Sequence, residues 1–267
     1  MRIAVYQFAP SADIAKNHES IKEAIVQAAA QNVRLLVFQE CAACGYPPVE
    51  RANATDIDFE LLDRQFDAVR VLAKAYGMYI ALGTIRKKNG NCFNSIVLMN
   101  PDGGIAGHYD KRALWGWDTD NFMEEKELGI FTIDGIKIGF RICFEVRFLE
   151  YFRELFAENV PLCFVSFCDV SHMPAEQAAA RYELIKAHLR TRAVENVMTV
   201  VSVNSAAEIQ TAPTAFIDPN GLILSEAPQH EPHLLVHDFM PPEITFGMRG
   251  RLSYSEKLIG RKEIFAK

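Results

Sequence analysis

The stretch Gly139-Phe140-Arg141-Ile142-Cys143-Phe144-Glu145 reads as an apolar β-type run that ends on a thiol. Two other stretches have the same form. Val37-Phe38-Gln39-Glu40 ends on a carboxylate, and Tyr109-Asp110-Lys111 ends on an ammonium. The end of a strand is where a rigid scaffold aims a reacting group with little positional error. A thiol needs a base to become a nucleophile, and the anion formed when it attacks needs a positive partner. Glu40, Lys111 and Cys143 supply those three roles. They lie 71 (111 − 40) and 32 (143 − 111) residues apart, so only folding brings them together.

Outward from these stretches, strand and helix patterns alternate. Residues 3–8 predict a strand. Residues 14–31 predict a helix capped by Asp13, with His18, Ile21, Ile25 and Ala28 on one face. Residues 35–39 read as a buried strand, and 61–76 as a helix with Leu62, Phe66, Val69, Ala73 and Tyr76 at helical spacing. Strands follow at 79–85, 95–99 and 105–109. Asp134-Gly135, set between Phe131-Thr132-Ile133 and Ile136-Lys137-Ile138, is a two-residue hairpin signal. Helices near 148–158 and 176–195 flank a strand at 162–167. Runs at 197–203, 214–217, 222–224 and 234–237 complete the sheet content. Paired strands between paired helices predict an α/β fold with two mixed sheets face to face and helices outside, a four-layer αββα sandwich.

Composition limits the classes of function. Of 267 residues, 49% are hydrophobic and 23% charged, ordinary values for a globular chain long enough to bury a substantial core. A net charge of −6 and a pI near 5.7 argue against nucleic acid or an anionic membrane as the main partner. No apolar run approaches the roughly 20 residues of a membrane span. The chain enters Ile3-Ala4-Val5-Tyr6-Gln7-Phe8 without a signal-peptide pattern, which favours the cytoplasm, where the six cysteines stay reduced. Residues 1–240 read as one domain. Residues 241–267, after Pro241-Pro242, read as a C-terminal arm of that domain, with six basic residues against two acidic ones from Met248 onward.

Cys41-Ala42-Ala43-Cys44 has zinc-knuckle or redox spacing, but no second pair completes a four-ligand site, and neither a metal nor a cofactor is expected. Cys163 and Cys168 read as core. Trp115 and Trp117, just after Lys111, are candidate walls of a substrate site, with Phe144, Phe167 and His172 as further candidate contacts. The series Arg181, Lys186, Arg190 and Arg192 reads as a solvated or intersubunit helix face. The turn from strand to helix at Cys143, with a helix expected from near Val146, would set the thiol at a helix N-terminus, where the macrodipole favours the thiolate.

Five blocks in order resemble the nitrilase superfamily, the carbon–nitrogen hydrolases. They are Phe38-Gln39-Glu40 with Gly45-Tyr46-Pro47, Tyr109 through Leu114, Gly139 through Glu150, Arg192-Ala193-Val194-Glu195-Asn196, and Pro219-Asn220-Gly221. The resemblance covers residues 1 to about 240. Gln39 and Leu149 stand where that family usually has proline. Asp118, counted back from Phe122, stands where a second glutamate is usual, one methylene shorter.

The resemblance implies a cysteine hydrolase that cleaves a carbon–nitrogen bond of a small linear amide, an ω-amide or a carbamoyl compound through a thioester on Cys143. Glu40 and Lys111 would assist, and Asp118 would help to position Lys111 or the substrate. It also implies a homodimer or higher homo-oligomer joined through the helices near 148–158 and 176–195, with Phe148, Phe152, Phe156 and Tyr182 as mild support. Nitrile hydrolysis is a less favoured alternative, because family members acting on nitriles often carry Trp where Phe144 stands. A catalytically silent binding protein of the same fold is another.

Overall fold

Alternation within the strands decides the layering. The computed structural model describes residues 1–260. Its first half comprises β1 (Arg2–Gln7), α1 (Ile14–Ala30), β2 (Leu35–Phe38), α2 (Phe59–Tyr76), β3 (Tyr79–Lys88), β4 (Asn91–Met99) and β5 (Ile105–Asp110). There follow α3 (Asp118–Asn121), β6 (Ile130–Ile133), β7 (Ile136–Ile142), α4 (Leu149–Ala157), β8 (Leu162–Ser166) and α5 (Ala175–Asn196). The remaining elements are β9 (Thr199–Val203), β10 (Ala215–Ile217), β11 (Ile223–Glu226), β12 (His233–Asp238) and α6 (Phe246–Leu258).

Two six-stranded sheets result, ordered β12-β1-β2-β3-β4-β5 and β11-β10-β9-β8-β7-β6. In the first, β1, β2 and β3 run parallel, and β12 returns antiparallel beside β1. In the second, β7, β8 and β9 run parallel.

Successive side chains on a strand face opposite ways. In the first sheet Ile3, Val5, Leu35 and Val37 meet Ile138, Phe140, Ile142, Leu162 and Phe164 of the second, filling the space between the sheets. Their alternates Ala4, Tyr6, Leu36 and Phe38 pack against Ile21, Ile25, Leu62 and Val69 of α1 and α2. On the far side Cys163, Val165 and Val200 pack against Phe152 and Leu155 of α4, Ile185 and Leu189 of α5, and Leu252 of α6. Three apolar layers therefore separate four layers of secondary structure, as the alternation predicts.

Asp13 caps α1 as expected, accepting from the Ala15 and Lys16 amides at 3.0 and 3.1 Å. Tyr76, read on the apolar face of α2, is instead exposed at its last turn. Phe152, Phe156 and Tyr182, read as surplus aromatics for a subunit contact, are buried in their own chain, where α4 and α5 cover the second sheet. The expected arm contains α6, whose Met248 and Leu252 enter the outer layer of the second sheet and whose Arg251 donates to Val194 O at 2.9 Å. Residues 261–267 of that arm lie outside the described residues. Among the described residues, no helix is long and apolar enough to cross a membrane.

Candidate active site

Glu40 follows β2, Lys111 follows β5 and Cys143 follows β7, so both sheets present one end to the same place. Glu40 can sit there because β3 is thin beside it. A Cβ on Gly83 would lie 1.9 Å from Gln39 O, so only glycine allows this close approach. Gln39 uses its side chain to hold the segment, donating to Phe8 O at 2.8 Å.

The ammonium of Lys111 lies 2.8 Å from Glu40 Oε1 and 2.8 Å from Asp118 Oδ2. All three groups are almost completely buried. Glu40 is further held by Asn94 Nδ2 at 2.6 Å and by the Cys168 amide at 2.8 Å. Asp118 opens the short helix α3 and accepts from the Tyr46 hydroxyl at 2.6 Å and the Trp115 amide at 2.8 Å. The shorter side chain at position 118 therefore reaches the lysine, carried there by the local backbone.

Two carboxylates around one ammonium leave a surplus negative charge, and the electrostatics follow from it. Burial, together with Asp118, raises the Glu40 pKa above the ordinary carboxylate range, although Lys111 pulls it back. Burial alone would lower the Lys111 pKa, but Glu40, Cys143 and Asp118 outweigh it and hold the ammonium charged. Burial, then Glu40, pushes the Cys143 thiol well above its usual range, with Lys111 opposing.

That overturns the expected macrodipole effect. Cys143–Arg147 form a short 3₁₀ turn, Phe148 returns to an extended backbone, and α4 begins only at Leu149, so no α-helix starts at the thiol. Cys143 itself has φ 46°, a left-handed conformation that is costly for a residue with a Cβ. Glu145 holds the turn. One of its carboxylate oxygens accepts from the Tyr109 hydroxyl and the Arg112 amide, and the other from the Ile142 amide, each at 2.7 Å.

A narrow pocket of about 50 Å³ reaches Cys143, with Phe144, Trp115 and Trp117 among its walls as the sequence suggested. Phe144 packs against Trp115 with ring centroids 5.1 Å apart. Phe167 and His172, the other two candidate contacts, do not line it. Phe167 continues the alternation of Cys163 and Val165 and faces the helix layer, fully buried. His172 is exposed on the following loop and does not line the pocket.

Sequence reasoning missed Tyr46, Asn94, Asp169 and Arg181. Tyr46 belonged to a recognised turn, but nothing marked its hydroxyl for Asp118. Arg181 was assigned to a solvated helix face, yet it enters the pocket wall and pairs with Asp169 at 2.8 Å. Arg192 of the same series is buried and donates to Val146 O at 2.9 Å. A roomier groove of about 960 Å³, along Tyr182, Glu208 and His230, is lined by none of Glu40, Lys111, Asp118 and Cys143. Cys41, Cys44 and Cys168 are buried free thiols.

A buried carboxylate and ammonium behind a partly buried thiol have the chemistry that covalent acyl transfer calls for. Residues 2–245 match the profile described as Carbon-nitrogen hydrolase, and the chain belongs to that family, within the nitrilase superfamily. The 2-oxoglutaramate amidase of Bacillus subtilis (strain 168) is 27% identical over 225 residues, 81% of this chain and 83% of that one. Two solved structures of an amidase from Nesterenkonia sp. AN1 share the fold. A cysteine-to-alanine mutant in complex with butyramide superposes with TM-score 0.79 at 23% identity, covering 90% of this chain and 91% of that one. A glutamate-to-leucine mutant, with the acetamide moiety of fluoroacetamide added covalently at its active-site cysteine, gives 0.81 at 22%, covering 97% and 95%.

Proposed function

We propose that this chain is an amidase that hydrolyses the carbon–nitrogen bond of a small linear amide, ω-amide or carbamoyl compound through a thioester on Cys143. The observation that carries the reading is Lys111, held at 2.8 Å by both Glu40 and Asp118 behind the Cys143 pocket. Two of its three ammonium protons meet carboxylates, leaving one for an oxyanion.

Glu40, whose pKa burial raises above the ordinary carboxylate range, takes the thiol proton as sulfur attacks the carbonyl carbon. Lys111 and a backbone N–H near Phe144 stabilise the tetrahedral oxyanion. Glu40 returns the proton to the departing nitrogen, and ammonia or an amine leaves behind the thioester. Water deprotonated by Glu40 then attacks the thioester, releasing the acid and restoring the thiol. The working unit is a homodimer joined through α4 and α5, where Phe148, Leu149 and Leu184 remain exposed.

Ammonia release over a panel of short amides, carbamoyl compounds and nitriles, with intact-protein mass spectrometry of the acylated intermediate, tests the reading. Wild type should release ammonia and carry the acyl mass on Cys143, whereas Cys143→Ala should do neither while keeping its fold. Ammonia release by Cys143→Ala, or a wild type inert to the whole panel, would overturn the proposal and favour a silent binding protein.

A further inference from the structure

Residues 45–51 form a loop that touches the buried ion cluster through one side chain, Tyr46. The Tyr46 hydroxyl donates to Asp118 Oδ1 at 2.6 Å, and the other Asp118 oxygen lies 2.8 Å from the Lys111 ammonium. The same ammonium is 5.8 Å from the centre of the Tyr46 ring, within range of a cation–π attraction. Tyr46 is buried and forms part of the wall of the Cys143 pocket.

The loop holds Tyr46 by its backbone. Glu50 closes a ring with it: the Glu50 amide donates to Tyr46 O at 2.9 Å, and the Glu50 carboxylate accepts from the Tyr46 amide at 2.8 Å. Gly45, at φ 76°, lets the two come this close, since a Cβ there would lie 2.9 Å from Glu50 Cβ. The ends of the loop are tied separately. The Gly45 amide donates to Cys41 O at 2.8 Å, and Arg51 donates to Cys44 O at 2.7 Å and to Ala12 O at 2.9 Å. Between those ties, Glu50 supplies the side chain that grips the Tyr46 backbone.

The direction of the Lys111 ammonium matters as much as its charge. With two of its protons on Glu40 and Asp118, tetrahedral geometry fixes where the third one points, toward the oxyanion. A shift of the Asp118 carboxylate turns that proton away, and a misplacement of about 1 Å at a reacting group can cost about 10²-fold in rate.

Resting on the amidase reading, we infer that Glu50 is a positioning residue for Lys111, acting through the Tyr46 amide and then through the Tyr46 hydroxyl and Asp118. Glu50 does not line the Cys143 pocket, so its effect falls on kcat and not on KM.

Ammonia release by wild type, Glu50→Ala, Glu50→Gln, Tyr46→Phe and the double variant Glu50→Ala/Tyr46→Phe tests this. The substrate is whichever of butyramide, glutaramate and N-carbamoyl-β-alanine wild type hydrolyses fastest. Glu50→Ala should lower kcat at least about fivefold while KM changes by less than about twofold. Glu50→Gln keeps an oxygen for the Tyr46 amide and should stay within about twofold of wild type in kcat. Tyr46→Phe should lower kcat at least about tenfold. Because both residues act along one chain of contacts, the double variant should fall no more than about twofold below Tyr46→Phe, well short of the product of the two losses. Full kcat in Glu50→Ala, an equal loss in Glu50→Gln, a loss carried by KM, or losses that multiply in the double variant would each overturn the inference and leave the amidase reading standing. A wild type that releases ammonia from none of the three compounds would overturn both.

Discussion

Asp118 shows how a side chain one methylene shorter than the expected glutamate reaches Lys111. It opens α3 just after Trp115, and the Trp115 amide and Tyr46 hydroxyl fix its carboxylate against Lys111. In Asp118→Asn the side-chain amide would face either the Tyr46 hydroxyl or both the Lys111 ammonium and the Trp115 amide, and the buried ammonium would lose one of its two balancing charges, which is costly. Activity should fall at least about tenfold, roughly 1.4 kcal/mol in the barrier, measured as kcat/KM. Asp118→Glu should also lose activity, because position 118 is fully buried and an extra methylene there costs about 1–3 kcal/mol. A fully active Asp118→Asn would move the auxiliary role elsewhere.

Glu50 offers a different residue-scale test. Burial raises its pKa from 4.5 to about 7, even though amides including that of Tyr46 donate to it. A carboxyl whose folded pKa exceeds its unfolded pKa binds more protons when folded. Its contribution is therefore most favourable below about 4.5 and is lost as pH rises through about 7. The penalty above that window is on the order of 3 kcal/mol. Glu50→Gln should raise Tm at pH 8 and change it little at pH 4, as followed by thermal denaturation. Equal shifts at both values would show that Glu50 is not the titrating group.

At the scale of elements, the turn after β7 is the critical piece. Its sharpness comes from the left-handed Cys143, a conformation costing about 1–3 kcal/mol that surrounding contacts must offset. Glu145 does this from beneath, linking β5 of one sheet to β7 of the other through three hydrogen bonds. Glu145→Gln would set an amide group against one of those donors. A loss of about 1.5–3 kcal/mol in urea unfolding is expected, with a fall in kcat larger than any rise in KM. An unchanged unfolding midpoint would assign the turn's geometry to other contacts.

For the whole molecule, assembly is the open quantity. With Phe152, Phe156 and Tyr182 committed to their own core, a subunit contact through α4 and α5 rests on Phe148, Leu149 and Leu184. Sedimentation at micromolar concentration should find a species of twice the 30.0 kDa chain, and Leu184→Glu should shift it toward the monomer. A wild-type monomer under those conditions would remove the proposed interface.

The amino-acid sequence by itself determined the layering and marked the three candidate reacting groups. Alternation along a strand and repetition along a helix are local properties, so 3–8, 35–39 and 162–167 declare both of their faces before any partner is known. Glu40, Lys111 and Cys143 are legible for the same reason, since each ends such a run. Only the tertiary structure decided that Arg181 leaves the solvated face for Asp169, that Tyr46 and Asn94 hold the carboxylates, and that Phe167 turns away from the pocket. It alone decided that the Cys143 thiol is raised by burial and not lowered by a helix. Charge pairing and desolvation belong to the assembled, water-poor interior, where a group's neighbours come from strands far apart in the chain.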